Sequence, residues 1–125
     1  MTTTQAGPAA RLLAALNAAT VDESVIADDA TAWHNFDEID MPIRDAFGSV
    51  TTIRTKVPDF RFDAPRYHEA GDTTVVQYTL RGTLPDGSET AAPACLVVHT
   101  SGDRVTRIEE YLDTAQLAPI LALLG

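Results

Sequence analysis

The sequence predicts an α+β fold, with helices covering one face of a single curved antiparallel sheet. Three observations predict it. Apolar residues recur at helical spacing before Pro58, the period changes to two after it, and a series of hairpins ends on a capped amphipathic helix. At 125 residues the chain suits one core, so residues 8–125 are expected to form a single domain and residues 1–7, which are polar, a flexible tail.

From Pro8, residues Ala9, Leu12, Leu13, Leu16 and Ala19 share one helical face, with proline in the tolerant first turn. Residues 21–27 are expected to add one or two helical turns, since Asp22 and Glu23 suit a helix N-terminus, before Asp28 and Asp29 end them. Residues 31–36 are rich in β-branched and aromatic side chains and read as a strand carrying Trp33, His34 and Asn35. Asp40 is expected to cap a second helix, with Pro42 in its first turn and Ile43, Phe47, Val50 and Ile53 on its buried face. Gly48 inside that helix costs about 1 kcal/mol relative to alanine, which points to close packing or a local bend.

After Pro58 the pattern is that of strands. Phe60 and Phe62 alternate with Arg61 and Asp63, and Pro65 restricts this strand to an edge or a break. Residues 67–69 then run to a turn at Gly71 and Asp72. Residues 73–81 and 89–100 flank the turn-forming Leu84-Pro-Asp-Gly, and Ser101-Gly-Asp leads into a last strand at 104–112. Asp113 and Gln116 have capping-box spacing ahead of Leu117, Ile120, Leu121 and Leu124, which form a helical face.

Charge and composition exclude several functions. A net charge of −9, with no basic cluster, argues against a nucleic-acid partner. No apolar run reaches the roughly 18 residues of a membrane span and no leader-like segment precedes Pro8, so no membrane association and a cytoplasmic location are expected. Cys95 is alone, which excludes an intramolecular disulfide, and its apolar neighbours favour an inert buried thiol. His34, His68 and His99 lack the close helical spacing of a local metal motif, so no metal and no cofactor are expected.

The strand at 104–112 carries the most informative residue. Side chains alternate along a strand, so Ile108, Glu110 and Leu112 share one face and Arg107, Glu109 and Tyr111 the other. Glu110 is thus a carboxylate aimed where apolar side chains go. The strand at 89–100 is apolar on both faces, through Ala94, Leu96 and Val98 on one and Cys95 and Val97 on the other. Helices can cover only one face of the sheet, and a homodimer through the outer face would bury the second.

The first helix, the Asp28-Asp29-Ala-Thr step into Trp33-His34-Asn35, and Gly102-Asp-Arg-Val leading into Ile108-Glu-Glu-Tyr-Leu-Asp113 together resemble the nuclear transport factor 2-like superfamily, in its SnoaL-like branch. The resemblance spans about residues 12–121. It implies a cone-shaped curved sheet wrapped around N-terminal helices, of the kind also called cystatin-like, with a deep apolar pocket and frequent dimerisation. It does not by itself imply one chemistry, because the fold carries isomerases, dehydratases, cyclases, epoxide hydrolases and non-catalytic proteins.

Set against ketosteroid isomerase, the general-base position falls at or beside His34 and the oxyanion donors fall at Leu12 and near Cys95, so no donor pair is retained. Set against limonene epoxide hydrolase, a catalytic carboxylate falls on Glu110, the water-binding asparagine on Asn35 and its tyrosine companion on Trp33. The essential arginine and second aspartate fall on Gln77 and Thr79. The two comparisons differ over which neighbour in the first strand faces inward, and His34 and Asn35 both remain candidates.

The expected site is a His34–Glu110 acid/base pair, with Asn35, Gln77 or Tyr78 orienting a substrate carbonyl or hydroxyl and Trp33 stacking on a flat ligand. The competing reading pairs Glu110 with Arg81 or Arg107 and makes Tyr78 a core tyrosine with a satisfied hydroxyl. Alternation leaves open whether Tyr78 or the pair Gln77 and Thr79 faces the pocket. The expected function is that of a small-molecule pocket protein, a cofactor-independent isomerase, cyclase, dehydratase or epoxide hydrolase acting on an apolar or polyketide-like molecule. The alternative is a non-catalytic binder of a hydrophobic ligand, or a dimeric adaptor.

Overall fold

In the computed structural model, which describes residues 7–124, the chain runs α1 (Pro8–Ala18), β1 (Ile26–His34), β2 (Asp40–Pro42), α2 (Ile43–Lys56), β3 (Arg61–Ala70), β4 (Thr73–Thr83), β5 (Glu89–Ser101), β6 (Arg104–Leu112) and α3 (Thr114–Leu123). The tail expected at residues 1–7 lies, apart from Gly7, outside the described residues. The six strands form one sheet in the order β2-β1-β6-β5-β4-β3. All neighbours are antiparallel except β1 and β6, which run parallel, so the sheet is mixed and the first long strand lies beside the last. Bulges interrupt the ladder in β1, in β3 and in the β5–β6 pair, and bulges add bend and twist to a sheet.

Helix α1 starts at Pro8 as expected. It ends where Ala19 turns left-handed (φ 54°) and the N–H of Thr20 reaches back to the carbonyl of Ala15, a Schellman closure. Asn17, near that end, grips edge strand β3 by both sides of its amide, accepting from the N–H of Phe62 at 2.9 Å and donating to its carbonyl at 3.1 Å. This fixes Phe62 with its ring inward.

Two local expectations are corrected. Residues 21–27 are not helical: the carboxylate of Asp22 accepts from the backbone N–H and the hydroxyl of Ser24, closing a turn, and Val25 and Ile26 enter the core at 0% exposure. An acid followed two residues later by serine can serve either purpose, and burial of Val25 and Ile26 selects the turn and an earlier strand start. Asp40 is not a helix cap. It opens the short strand β2, where its carboxylate accepts from Arg107 at 2.9 Å across β1, and α2 begins at Ile43 with no side-chain cap.

Pro65 does sit on an edge strand, at the β3 bulge, where Ala64 adopts φ 53°. Gly48 has no neighbour that an added Cβ would meet within 4 Å, so close packing is not its reason. Gly82 is the glycine under a packing constraint, because a Cβ there would stand 2.5 Å from Cγ1 of Val57. Asp113 caps α3 as expected, accepting from the N–H groups of Ala115 and Gln116. Leu117 and Ile120 of α3, Ile43, Phe47 and Val50 of α2, and the leucines of α1 bury against the inner face of the sheet. Among the described residues no helix is long and apolar enough to cross a membrane.

Candidate functional site

On β6 the alternation places Ile108, Glu110 and Leu112 inward, and Glu110 is 7% exposed, the one charged residue among the buried side chains described. The parallel register of β1 on β6 sets His34 beside Glu110, with the imidazole Nε2 3.4 Å from Oε1 of the carboxylate. Tyr78 reaches the same group from the opposite side. It lies two strands away on β4, faces inward with Val76 and Leu80, and its hydroxyl donates to Oε2 of Glu110. The carboxylate is thus held between an imidazole and a phenol.

Burial pushes the Glu110 carboxyl above its ordinary value, while the neighbouring His34 and the Tyr78 hydrogen bond pull the other way. Burial, reinforced by the Glu110 charge, holds the Tyr78 hydroxyl well above the ordinary phenol range, so it remains a donor. Among buried side-chain polar atoms described, Nδ1 of His34 is the one with no hydrogen-bond partner. The imidazole is packed on its other side by Phe36, with ring centroids 4.9 Å apart.

Glu110 and His34 line a cavity of about 240 Å³ between the sheet and the helices. Its walls are apolar, with Phe60 and Phe62 from the β3 side, Leu96 from β5, Val50 and Ile53 from α2, and Leu117 from α3. Phe36 and Asp37, in the loop after β1, and Leu124 at the end of α3 also line it, and all three are exposed. One buried carboxylate in an apolar hollow, flanked by two groups able to hold or move a proton, is an arrangement suited to acid/base chemistry.

The expected pair is therefore brought together, and neither Arg81 nor Arg107 is its partner: Arg81 bonds to Asp63 at 2.9 Å, and Arg107 to Asp40 and Glu109. Three expected pocket residues lie elsewhere. Trp33 points to the outer face, where its ring meets Tyr111 at 5.3 Å. Asn35 clamps β6, donating to the carbonyl of Leu112 at 3.1 Å and accepting from its N–H at 3.2 Å. Gln77 is exposed on the outer face with its side-chain oxygen 2.9 Å from Nε2 of His68. Tyr78, and not Gln77 or Thr79, is the inward residue of β4. The β1 bulge between Ile26 and Thr31 lies ahead of the site, so simple alternation holds from Ala32 to His34.

Outside, a shallow depression of about 780 Å³ spans part of the sheet near Pro65, Gln77, Cys95 and Tyr111. It is larger but open, and it holds no buried charge. Cys95 lies there half-buried, not enclosed, and burial raises its thiol. Phe36 and Asp37 were beyond sequence reasoning as site residues, because a loop has no periodicity to say which way its side chains point.

A curved sheet covered by helices on its inner face is a fold of the nuclear transport factor 2-like kind. The model of the SnoaL-like domain family matches residues 9–108, and the chain belongs to that family. No curated protein matches the sequence. Among solved structures, the chain is similar to IdmH of Streptomyces antibioticus, a proposed polyketide cyclase (16% identity, 92% of this chain and 96% of that one, TM-score 0.79). It is also similar to a hypothetical protein of Catenulispora acidiphila with a ketosteroid isomerase-like fold, solved with trimethylamine (18% identity, 90% of each chain, TM-score 0.74). A third is a proposed SnoaL-like polyketide cyclase of Jannaschia (14% identity, 92% and 89%, TM-score 0.74). At these identities the likeness concerns the fold.

Proposed function

We propose that the protein is a cofactor-independent enzyme that moves a proton to or from a small apolar or polyketide-like molecule held in the inner cavity. Glu110 is the proton-transfer group and His34 its partner, while Tyr78 orients the carboxylate. The observation that carries this reading is the enclosure of Glu110, at 7% exposure, in an apolar cavity with His34 and Tyr78 on its two oxygens. Desolvation raises the carboxyl above its ordinary value, the direction that favours proton transfer in isomerase, cyclase, dehydratase and epoxide-opening chemistry. The proposed polyketide cyclases of the same fold are consistent with this class.

The reading is tested by native mass spectrometry of the purified protein, identification of the retained small molecule, and turnover of that molecule or its precursor. Wild-type protein is expected to convert it, with a loss of about 10²- to 10⁴-fold in Glu110→Gln. Equal conversion by the variant overturns the assignment. A retained molecule that the wild type leaves unchanged favours the second reading, a non-catalytic carrier. That reading draws on the cavity lining, in which the exposed Asp37 is the other carboxylate and no second buried acid stands beside Glu110 among the described residues.

We further propose that the outer face pairs with a second copy of the chain. Tyr111 is 46% exposed beside Trp33 at the middle of that face, and Val75, Cys95 and Val97 are only half-buried around it. Sedimentation of wild type as a dimer and of Tyr111→Arg as a monomer is expected, and a monomeric wild type sinks the idea.

A further inference from the structure

We propose that the cavity selects a molecule whose polar group is a hydrogen-bond donor, a protonated amine ahead of a hydroxyl, and turns away carboxylates and phosphates. The inference rests on the cavity being a small-molecule site, as proposed above, and adds the charge and hydrogen-bonding sense of its ligand. Among the described residues lining the cavity, the ionisable ones are His34, Asp37 and Glu110, and no lysine or arginine faces it. An anionic ligand would find no arginine or lysine to receive it, and the imidazole of His34 already faces the Glu110 carboxylate.

The other side-chain donors of the cavity already face partners, and Nδ1 of His34 is left without one. Tyr78 gives its proton to Glu110, the imidazole turns Nε2 toward the same carboxylate, and the hydroxyl of Ser49 donates to the carbonyl of Asp45 at 3.1 Å. What remains besides that nitrogen is lone pairs. An ionised carboxylate has about four acceptor directions, and Glu110 has Tyr78 on one oxygen and His34 facing the other. Asp37, at the mouth, uses Oδ1 on the backbone N–H of Ile39 at 3.1 Å and keeps its other oxygen. A ligand carboxylate would place a second negative charge beside one that burial already disfavours. An ammonium brings the opposite charge and several donors to the same oxygens, and charge-assisted hydrogen bonds are the strong ones.

The walls act in the same direction. Phe36, Phe60 and Phe62 line the cavity, and the faces of aromatic rings attract cations, most strongly where water is excluded. Volume bounds the ligand's body. An apolar cavity of about 150 Å³ holds benzene, so about 240 Å³ accommodates one substituted ring or two fused ones.

Isothermal titration at neutral pH with a matched series on one body tests the inference: aminotetralin, tetralol, tetralone and tetralin carboxylate. The amine is expected to bind about tenfold tighter than the alcohol, the alcohol tighter than the ketone, and the carboxylate not measurably. Glu110→Gln should remove the amine's advantage by about tenfold and leave the alcohol within a few-fold. Should that variant fail to fold, the wild type provides the same comparison, since the amine's advantage must shrink as pH falls and Glu110 takes up a proton. A ketone or carboxylate that binds as tightly as the amine overturns the inference and leaves the small-molecule site standing. Binding that Leu96→Phe leaves unchanged, or a series in which nothing binds, overturns the site itself.

Discussion

On β6, Glu109 points to the outer face of the sheet, where His99 lies 2.9 Å from its carboxylate and Arg107 3.3 Å, and these partners hold it below the usual range. Glu110, the next residue, points to the inner face, where burial outweighs His34 and Tyr78 and pushes its carboxyl up. The two residues share a type, a strand and a position in the chain to within one step. Their difference lies in what faces them. On the outer face Asp40, Arg107, Glu109 and His99 form a partly exposed chain of ion pairs and hydrogen bonds, which favours ionised carboxylates. On the inner face no arginine or lysine lines the cavity among the described residues, and the carboxylate is held by the His34 imidazole and the Tyr78 hydroxyl in an apolar surround. The outer glutamate is tied to the sheet surface by its partners, and the inner one is enclosed in the apolar cavity.

The comparison breaks most readily at Tyr78. Replacing it with phenylalanine leaves the ring packing and removes the one hydroxyl that donates to Glu110, so a loss of about 1–3 kcal/mol in stability is expected by denaturant unfolding at neutral pH. The same change removes an influence that lowers the Glu110 carboxyl, so its titration followed by NMR should move still higher. An unchanged midpoint would place no weight on the Tyr78 bond.

Glu110→Gln sharpens the contrast through pH. The folded-state carboxyl sits above its ordinary value of 4.5. The native state therefore binds the proton more tightly than the unfolded chain, and the benefit is complete below the ordinary value and lost as pH rises through the raised one. Wild type is expected to lose stability relative to the glutamine variant across that window, with the difference in Tm smallest at acid pH. A difference that shrinks as pH rises would reverse the assignment.

Glu109→Gln should give the smallest effect, with the opposite sign of pH dependence. Its carboxyl is lowered, so its contribution is present above the ordinary value and lost as pH falls through the folded one. The side chain is partly exposed, and ion pairs of this kind contribute about 0.2–1 kcal/mol. Added salt should diminish the effect of Glu109→Gln while leaving that of Tyr78→Phe in place.

The legible parts of the site were those governed by one strand's own period. The alternation of β6 points Glu110 inward, and the turn signals at Leu84-Pro-Asp-Gly and Ser101-Gly-Asp place the strands on either side of it. Tyr78 and Gln77 are not told apart by alternation, because Val76 and Leu80 on one face of β4 are matched by Val75 and the β-branched Thr79 on the other. Trp33 and Asn35, assigned to the pocket by analogy, are held instead by the outer aromatic contact with Tyr111 and the clamp on Leu112. At residues 21–27 and at Asp40, acids that suit a helix start in isolation were taken up by Ser24 and by Arg107.

Periods and turn chemistry within short windows of the chain account for the helix-covered sheet, most of its turns, the family motifs, and a carboxylate directed at apolar surroundings. The company of that carboxylate comes from the order of the strands. The parallel pairing of β1 with β6 brings His34 to Glu110 from far apart in the chain, and Tyr78 arrives from two strands away. Strand neighbours and the facing side chains are chosen by how the sheet orders and curves, and no local pattern encodes that order.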